Sequence, residues 1–141
     1  MITRGSRAGF SNDDLTGKII GAAIEVHRCL GPGLLESAYE SCLEYELNIV
    51  QLRVRRQVAL PVVYKGLTLE QGFRIDLLVQ DSVVVELKAV ECLLPVHEAQ
   101  VLSYLRFSGC KVGLLLNFNV LALKHGGIRR LVLSEETAAR V

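Results

Sequence analysis

Apolar positions fall into two different rhythms along this chain. Leu15, Ile19, Ala22, Ala23, Val26 and Leu30 recur at helical spacing, so residues 13–29 predict an amphipathic helix. Ser11 or Asn12 offers an N-cap, and Asp13 and Asp14 place negative charge where a helix start favours it. Gly31-Pro32-Gly33 ends the run. A second helix is expected over about 34–48, with Leu35, Ala38, Tyr39, Cys42, Leu43 and Leu47 on its apolar side. Glu36, Glu40 and Glu44 stack at i, i+4 on this helix; such a row predicts a solvated face, although a carboxylate in the first turn can also point into a site.

From Arg53 the rhythm changes. Residues 54–64, 67–79 and 83–90 are rich in valine and leucine, partly alternating, and are separated by Lys65-Gly66 and Gln80-Asp81-Ser82, which predicts three strands in an antiparallel meander. Pro61 places the first strand at a sheet edge or at a bulge. Pro95 then opens a helix to about residue 107, closed by Ser108-Gly109, and residues 111–117 are apolar enough for a strand covered on both faces. The tail, with Lys124, His125, Arg129 and Arg130, gives no clear pattern. The order predicts an α/β fold in which a mixed sheet is flanked by helices. It also predicts one domain over 13–133 between a flexible N-terminal segment, 1–12, and a C-terminal tail, 134–141.

Composition narrows this little. The chain has 141 residues, half of them hydrophobic, enough for a core without disulfides or metal staples. A net charge of +1 means that any nucleic-acid contact rests on a local basic patch. Cys29, Cys42, Cys92 and Cys110 form no CxxC pair, which argues against a zinc site. The opening MITRGSRAGF has no apolar core, and no apolar run approaches membrane-spanning length, so a cytoplasmic location without membrane association is expected.

The second and third strands raise the chemical question, because RIDLLVQDSVVVELKAV sets charges among sheet-forming residues. A three-residue loop at 80–82 would put Asp76 directly opposite Glu86, whereas a two-residue loop would make them diagonal neighbours. Alternation places Glu86 and Lys88 on one face, opposite Val83, Val85 and Leu87, and puts Arg74 on the same face as Asp76. Two carboxylates so close repel, and a hard cation such as Mg²⁺ would relieve them. A lysine two positions on can then assist an attacking water or stabilise charge on a phosphate. The competing reading is an ordinary cross-strand ion pair at a solvated edge.

These residues resemble a family. Asp76 and Glu86-Leu87-Lys88, preceded by a helix with a glutamate and followed by a helix with Gln100 and Tyr104, resemble the PD-(D/E)XK nuclease superfamily. Within it the chain is similar to the GxxExxY family, whose pattern stands here as Gly33-Leu34-Leu35-Glu36-Ser37-Ala38-Tyr39. The similarity runs from about Leu15 to Arg130 and includes HEAQVLSYLRFSG and GLLLNF; Ile75 stands where the superfamily's name has proline. It implies a restriction-endonuclease-like core with a central four-stranded mixed sheet flanked by helices, and metal-dependent cleavage of nucleic-acid phosphodiesters. Carried over by position, Asp76, Glu86, the Leu87 carbonyl and Glu36 are the implied metal ligands, for Mg²⁺ or Mn²⁺ as a substitute. Lys88 is the implied catalytic lysine, and Gln100 and Tyr104 help hold the site or the substrate strand.

Other residues have simpler roles open to them. Glu36 suits a helix N-terminus, and Gln100 and Tyr104 suit the polar edge of an amphipathic helix. His97 lies one turn before Gln100, near solvent. Arg53, Arg55 and Arg56 either track a phosphate backbone or guard an edge strand. The leading expectation is a Mg²⁺-dependent nuclease acting on nucleic acid, DNA before RNA. The alternatives are a catalytically silent nucleic-acid-binding or assembly module of the same fold, and a subunit of a homodimer or larger complex.

Overall fold

The computed structural model describes residues 11–134; most of the two expected terminal segments, 1–10 and 135–141, lies outside them. Helix α1, Asn12–Leu30, starts at Ser11, whose Oγ accepts the Asp14 N–H at 3.1 Å. It ends at Gly31, which takes φ 69°, a left-handed value that a residue without Cβ adopts freely. Helix α2, Glu36–Ile49, is held to that turn by Tyr39. The fully buried Tyr39 hydroxyl donates to the Gly31 carbonyl at 2.6 Å and accepts the Leu34 N–H at 3.1 Å. Its ring stacks on Phe118 at 4.5 Å.

Five strands follow among the described residues, β1 (Val54–Tyr64), β2 (Leu67–Val79), β3 (Val83–Lys88), β4 (Val112–Asn117) and β5 (Ile128–Val132), with helix α3, Pro95–Ser108, between β3 and β4. They form one sheet in the order β1-β2-β3-β4-β5. The β3–β4 pair is parallel and the others are antiparallel. Strand β1 is an edge, and its register shifts between Leu60 and Val62, so Pro61 sits at the irregularity its missing N–H requires.

The sheet is covered on both faces, and alternate β3 residues enter different cores. Val83, Val85 and Leu87 pack with Leu15, Ile19, Tyr39 and Leu43 under α1 and α2. Val84 packs with Val101, Tyr104 and Leu105 under α3. Strand β4 is wholly buried, as its apolar run predicts.

The expected four-stranded sheet is corrected to five strands. Strand β5 carries two consecutive arginines, so it shows no alternation, yet it hydrogen-bonds along β4 from Leu116–Ile128 to Val112–Val132. Its arginines turn to outlying acids, Arg130 to Asp13 at 2.9 Å and Arg129 to Glu98 at 3.3 Å. The third strand ends at Lys88 rather than residue 90, because the next backbone groups bond elsewhere: Val90 N–H and carbonyl both meet the buried Asn117 side chain, at 3.1 and 3.0 Å.

Gly113 sets how closely α3 lies on the sheet, since a Cβ there would stand 2.7 Å from Val101 Cγ1. Valine is stiff at χ1 and has little room to yield. Gly113→Ala is expected to lower unfolding stability by about 1–3 kcal/mol, read from the midpoint of urea unfolding; an unchanged midpoint would mean that α3 lifts without cost.

Candidate active site

Strands β2 and β3 pair through Val79–Val83, Leu78–Val84 and Leu77–Val85, closed by residues 80–82, with Gln80 and Asp81 at φ 55° and 49°. This is the odd-numbered loop that aims Asp76 at Glu86. The ladder stops there: the Asp76 carboxylate takes over, its Oδ2 accepting the Leu87 N–H at 3.0 Å.

On its other side Asp76 meets an irregularity in β1. The β1–β2 register joins Arg56 to Leu77 and Val58 to Ile75 and omits Gln57 and Asp76 between them. Gln57 has φ 52°. Across this point both strands exchange faces: Val54 and Leu77 belong to the core under α1 and α2, whereas Val58 and Ile75 belong to the core under α3. Plain alternation, which placed Arg74 beside Asp76, therefore fails at this one position.

Gln57 ties the irregularity to α2. Its Nε2 donates to Asp76 Oδ1 at 3.3 Å and to Glu40 Oε1 at 2.9 Å. Glu40, only 6 % exposed, also accepts from Arg56 Nε at 2.9 Å, and Arg56 reaches Glu44 Oε1 at 3.2 Å. The expected solvated row of glutamates is therefore partly buried and neutralised. Of the three arginines considered for a phosphate backbone, Arg56 is engaged here, and Arg53 and Arg55 both pair with Asp81, at 3.1 and 2.8 Å.

Glu86 and Lys88 occupy the α3 face. Glu86 is 5 % exposed; its Oε2 stands 3.3 Å from Lys88 Nζ, and its buried Oε1 has no hydrogen-bond partner. Burial first, and then the negative Asp76 nearby, push its carboxyl from 4.5 up to about 8, against the pull of Lys88. Tyr104 feels the same surroundings. Burial and then the charges of Glu86 and Asp76 push its hydroxyl up to about 12, with a hydrogen bond from Gln100 acting the other way. Its ring stacks on Phe73 at 4.8 Å.

The fold thus gathers Asp76, Glu86, Lys88, Gln100 and Tyr104 at the end of the β2–β3 ladder. Glu36 reaches the end of β3 from α2, where its Oε2 accepts the Ala89 N–H at 3.1 Å. The Leu87 side chain lies in the core while its N–H serves Asp76. His97 does more than face solvent, since its Nδ1 accepts the Leu94 N–H at the start of α3, at 2.9 Å. Sequence reasoning missed Glu40, Arg56 and Gln57 as supports of Asp76. Glutamine carries no strand-breaking signal, and the only hint was a row of glutamates facing an arginine-rich strand.

Among the described residues no group of three or more His, Cys, Asp or Glu side chains is arranged to hold a metal ion. The acidic pair nonetheless suits a hard cation. Lys88 pairs with Glu86, Asp76 stands close enough to repel it, and an oxygen of Glu86 is buried without a donor, which is costly unless a partner meets it. The four cysteines are free and offer no alternative centre. No described helix is long and apolar enough to cross a membrane.

The raised Glu86 value has a signed consequence. The folded state holds the Glu86 proton more tightly than the unfolded chain, so this contribution to stability is full below pH 4.5 and is lost as pH rises through about 8. In metal-free buffer, wild type is expected to lose stability relative to Glu86→Gln across that window in urea titrations. A difference that stays flat with pH would contradict the buried, proton-hungry Glu86.

Searches among curated proteins and among solved structures return no significant match. The family comparison is different: a model of the PD-(D/E)XK nuclease superfamily matches residues 13–131, which contain the whole sheet except Val132, all but the first residue of the helices, and the gathered carboxylates and lysine. The chain belongs to the PD-(D/E)XK nuclease superfamily.

Proposed function

We infer that this protein is a nuclease of the GxxExxY branch that hydrolyses DNA phosphodiester bonds with Mg²⁺, or with Mn²⁺ in its place. The observation that carries the reading is the bare, buried Glu86 Oε1 beside Asp76, with a single lysine for two carboxylates. An acidic pair so short of positive charge is expensive to keep.

Asp76 and Glu86 would hold the ion, with the Leu87 carbonyl completing the protein's share and Glu36 approaching from α2. A divalent cation there supplies Lewis-acid polarisation of a phosphoryl oxygen. Hydrolysis joins a water oxygen to phosphorus and breaks the bond to the leaving sugar oxygen, so negative charge builds on the phosphoryl group. Lys88 faces that charge with ammonium hydrogens, an interaction worth most in a water-poor site. Tyr104, kept neutral at ordinary pH, can donate a hydrogen bond beside the carboxylates without adding charge. Gln57 holds Asp76 from behind, so the ligand is aimed before the cation arrives.

Purified chain incubated with plasmid and single-stranded DNA is expected to cleave with Mg²⁺ or Mn²⁺, to stop on chelation, and to lose activity by at least about a hundredfold in Glu86→Ala and Lys88→Ala. Intact DNA and RNA in all three preparations, with no calorimetric uptake of Mn²⁺, would sink the nuclease assignment. Gln57→Leu is expected to weaken Mn²⁺ binding about tenfold or more, in line with loss of support behind a metal ligand. Calorimetry giving the wild-type affinity would remove Gln57 from that role.

A further inference from the structure

A pocket of about 470 Å³ opens against α3, lined by Lys88, Val96, His97, Ala99, Gln100 and Ser103. No carboxylate lines it. The acceptor atoms of His97 and Ser103 are already engaged. His97 Nδ1 accepts the Leu94 N–H, and a ring nitrogen that accepts carries no proton, so the neutral imidazole bears its hydrogen on Nε2. Ser103 Oγ accepts from Arg106 at 3.2 Å, which leaves its own hydrogen free to donate. Lys88 has three hydrogens and directs one contact to Glu86. His97, Gln100 and Ser103 recur every third residue along α3 and so share a side of the helix.

A cavity in which His97 and Ser103 offer donors and Lys88 a cation suits a ligand rich in acceptors. A cationic or donor-rich ligand would leave these groups unpaired. A phosphodiester fits, with its two charged oxygens, and the volume accommodates the attached sugar as well. We propose that this pocket seats a backbone phosphate of the nucleic-acid strand beside the one being cut, with His97 Nε2–H as its anchoring donor. Lys88 joins the two positions, since it both lines the pocket and pairs with Glu86. The inference rests on the nuclease reading for the identity of the strand, and it concerns residues outside the carboxylate pair.

His97 also caps α3, and two substitutions separate the roles. In His97→Gln the amide nitrogen can replace the Nε2 donor while the amide oxygen can still accept the Leu94 N–H, as glutamine does at this position of a capping box. In His97→Asn the side-chain oxygen can still accept the Leu94 N–H, but nothing reaches the pocket. A phosphate seat predicts that His97→Asn raises KM for a DNA oligonucleotide about tenfold, the loss expected for one charge-assisted hydrogen bond, with kcat and Mn²⁺ affinity little changed. It also predicts that His97→Gln stays near wild type. A wild-type KM in His97→Asn would reduce His97 to a helix cap and overturn the proposal.

A readout that needs no turnover is imidazole NMR of the full chain with Ca²⁺ in place of Mg²⁺. The oligonucleotide is expected to shift the His97 Nε2 signal and leave buried His27 unmoved. Absence of that shift while Mn²⁺ binds and DNA is cut overturns the seat and leaves the nuclease reading intact. A shift without metal uptake or cleavage supports the seat and sinks the nuclease. Inorganic phosphate that moves the signal as far as the oligonucleotide, at equal phosphate concentration, overturns the assignment to a nucleic-acid backbone.

Discussion

The Glu86 carboxyl is held where water scarcely reaches, and much of the surrounding structure answers to it. One of its oxygens has Lys88, the other has nothing, and Asp76 adds repulsion. Such a group survives in a fold only if its neighbours are rigid enough to keep it from swinging out to solvent. Two leucine-rich layers supply that rigidity. Val85 and Leu87 lock β3 into one core and Val84 into the other, so Glu86 cannot turn without unpacking both.

The same constraint accounts for the irregular geometry around Asp76. A regular ladder would have satisfied the Leu87 N–H with a backbone carbonyl and left Asp76 to find its own partners. Here the carboxylate substitutes for the missing ladder bond, and Gln57, bent into a left-handed conformation, holds its other oxygen. The strain at Gln57, of order 1 kcal/mol for such a backbone, is balanced by two hydrogen bonds that hold two carboxylates apart from each other. Behind it, the Arg56 guanidinium meets the buried Glu40 at 2.9 Å.

The elements that carry the site were legible because their signals are local. The consecutive valines of β3, the turn at 80–82 and Pro95 fixed strand limits closely enough to set Asp76 against Glu86. What escaped depends on contacts distant in sequence. Strand β5 exists because β4 offers a hydrogen-bonding edge, and nothing in IRRLV announces that. Glu40 looks solvated until Arg56, sixteen positions later, lies against it. The exchange of faces at Gln57 cannot be found in either strand alone, since each alternates well on both sides of the break.

Asp76, Glu86, Lys88, His97, Gln100 and Tyr104 all lie on a hairpin and the helix that follows it. Bringing them together closes only short loops, and the entropy of closure grows slowly with length. Helices α1 and α2 enter from far upstream and meet this segment through Glu36 and through Leu15, Ile19, Tyr39 and Leu43, packed with Val83, Val85 and Leu87. The chain therefore separates inheritance of the reactive groups from inheritance of their stiffness. One contiguous stretch encodes most of the former, and the N-terminal third adds Glu36 and the wall against which that stretch stays still.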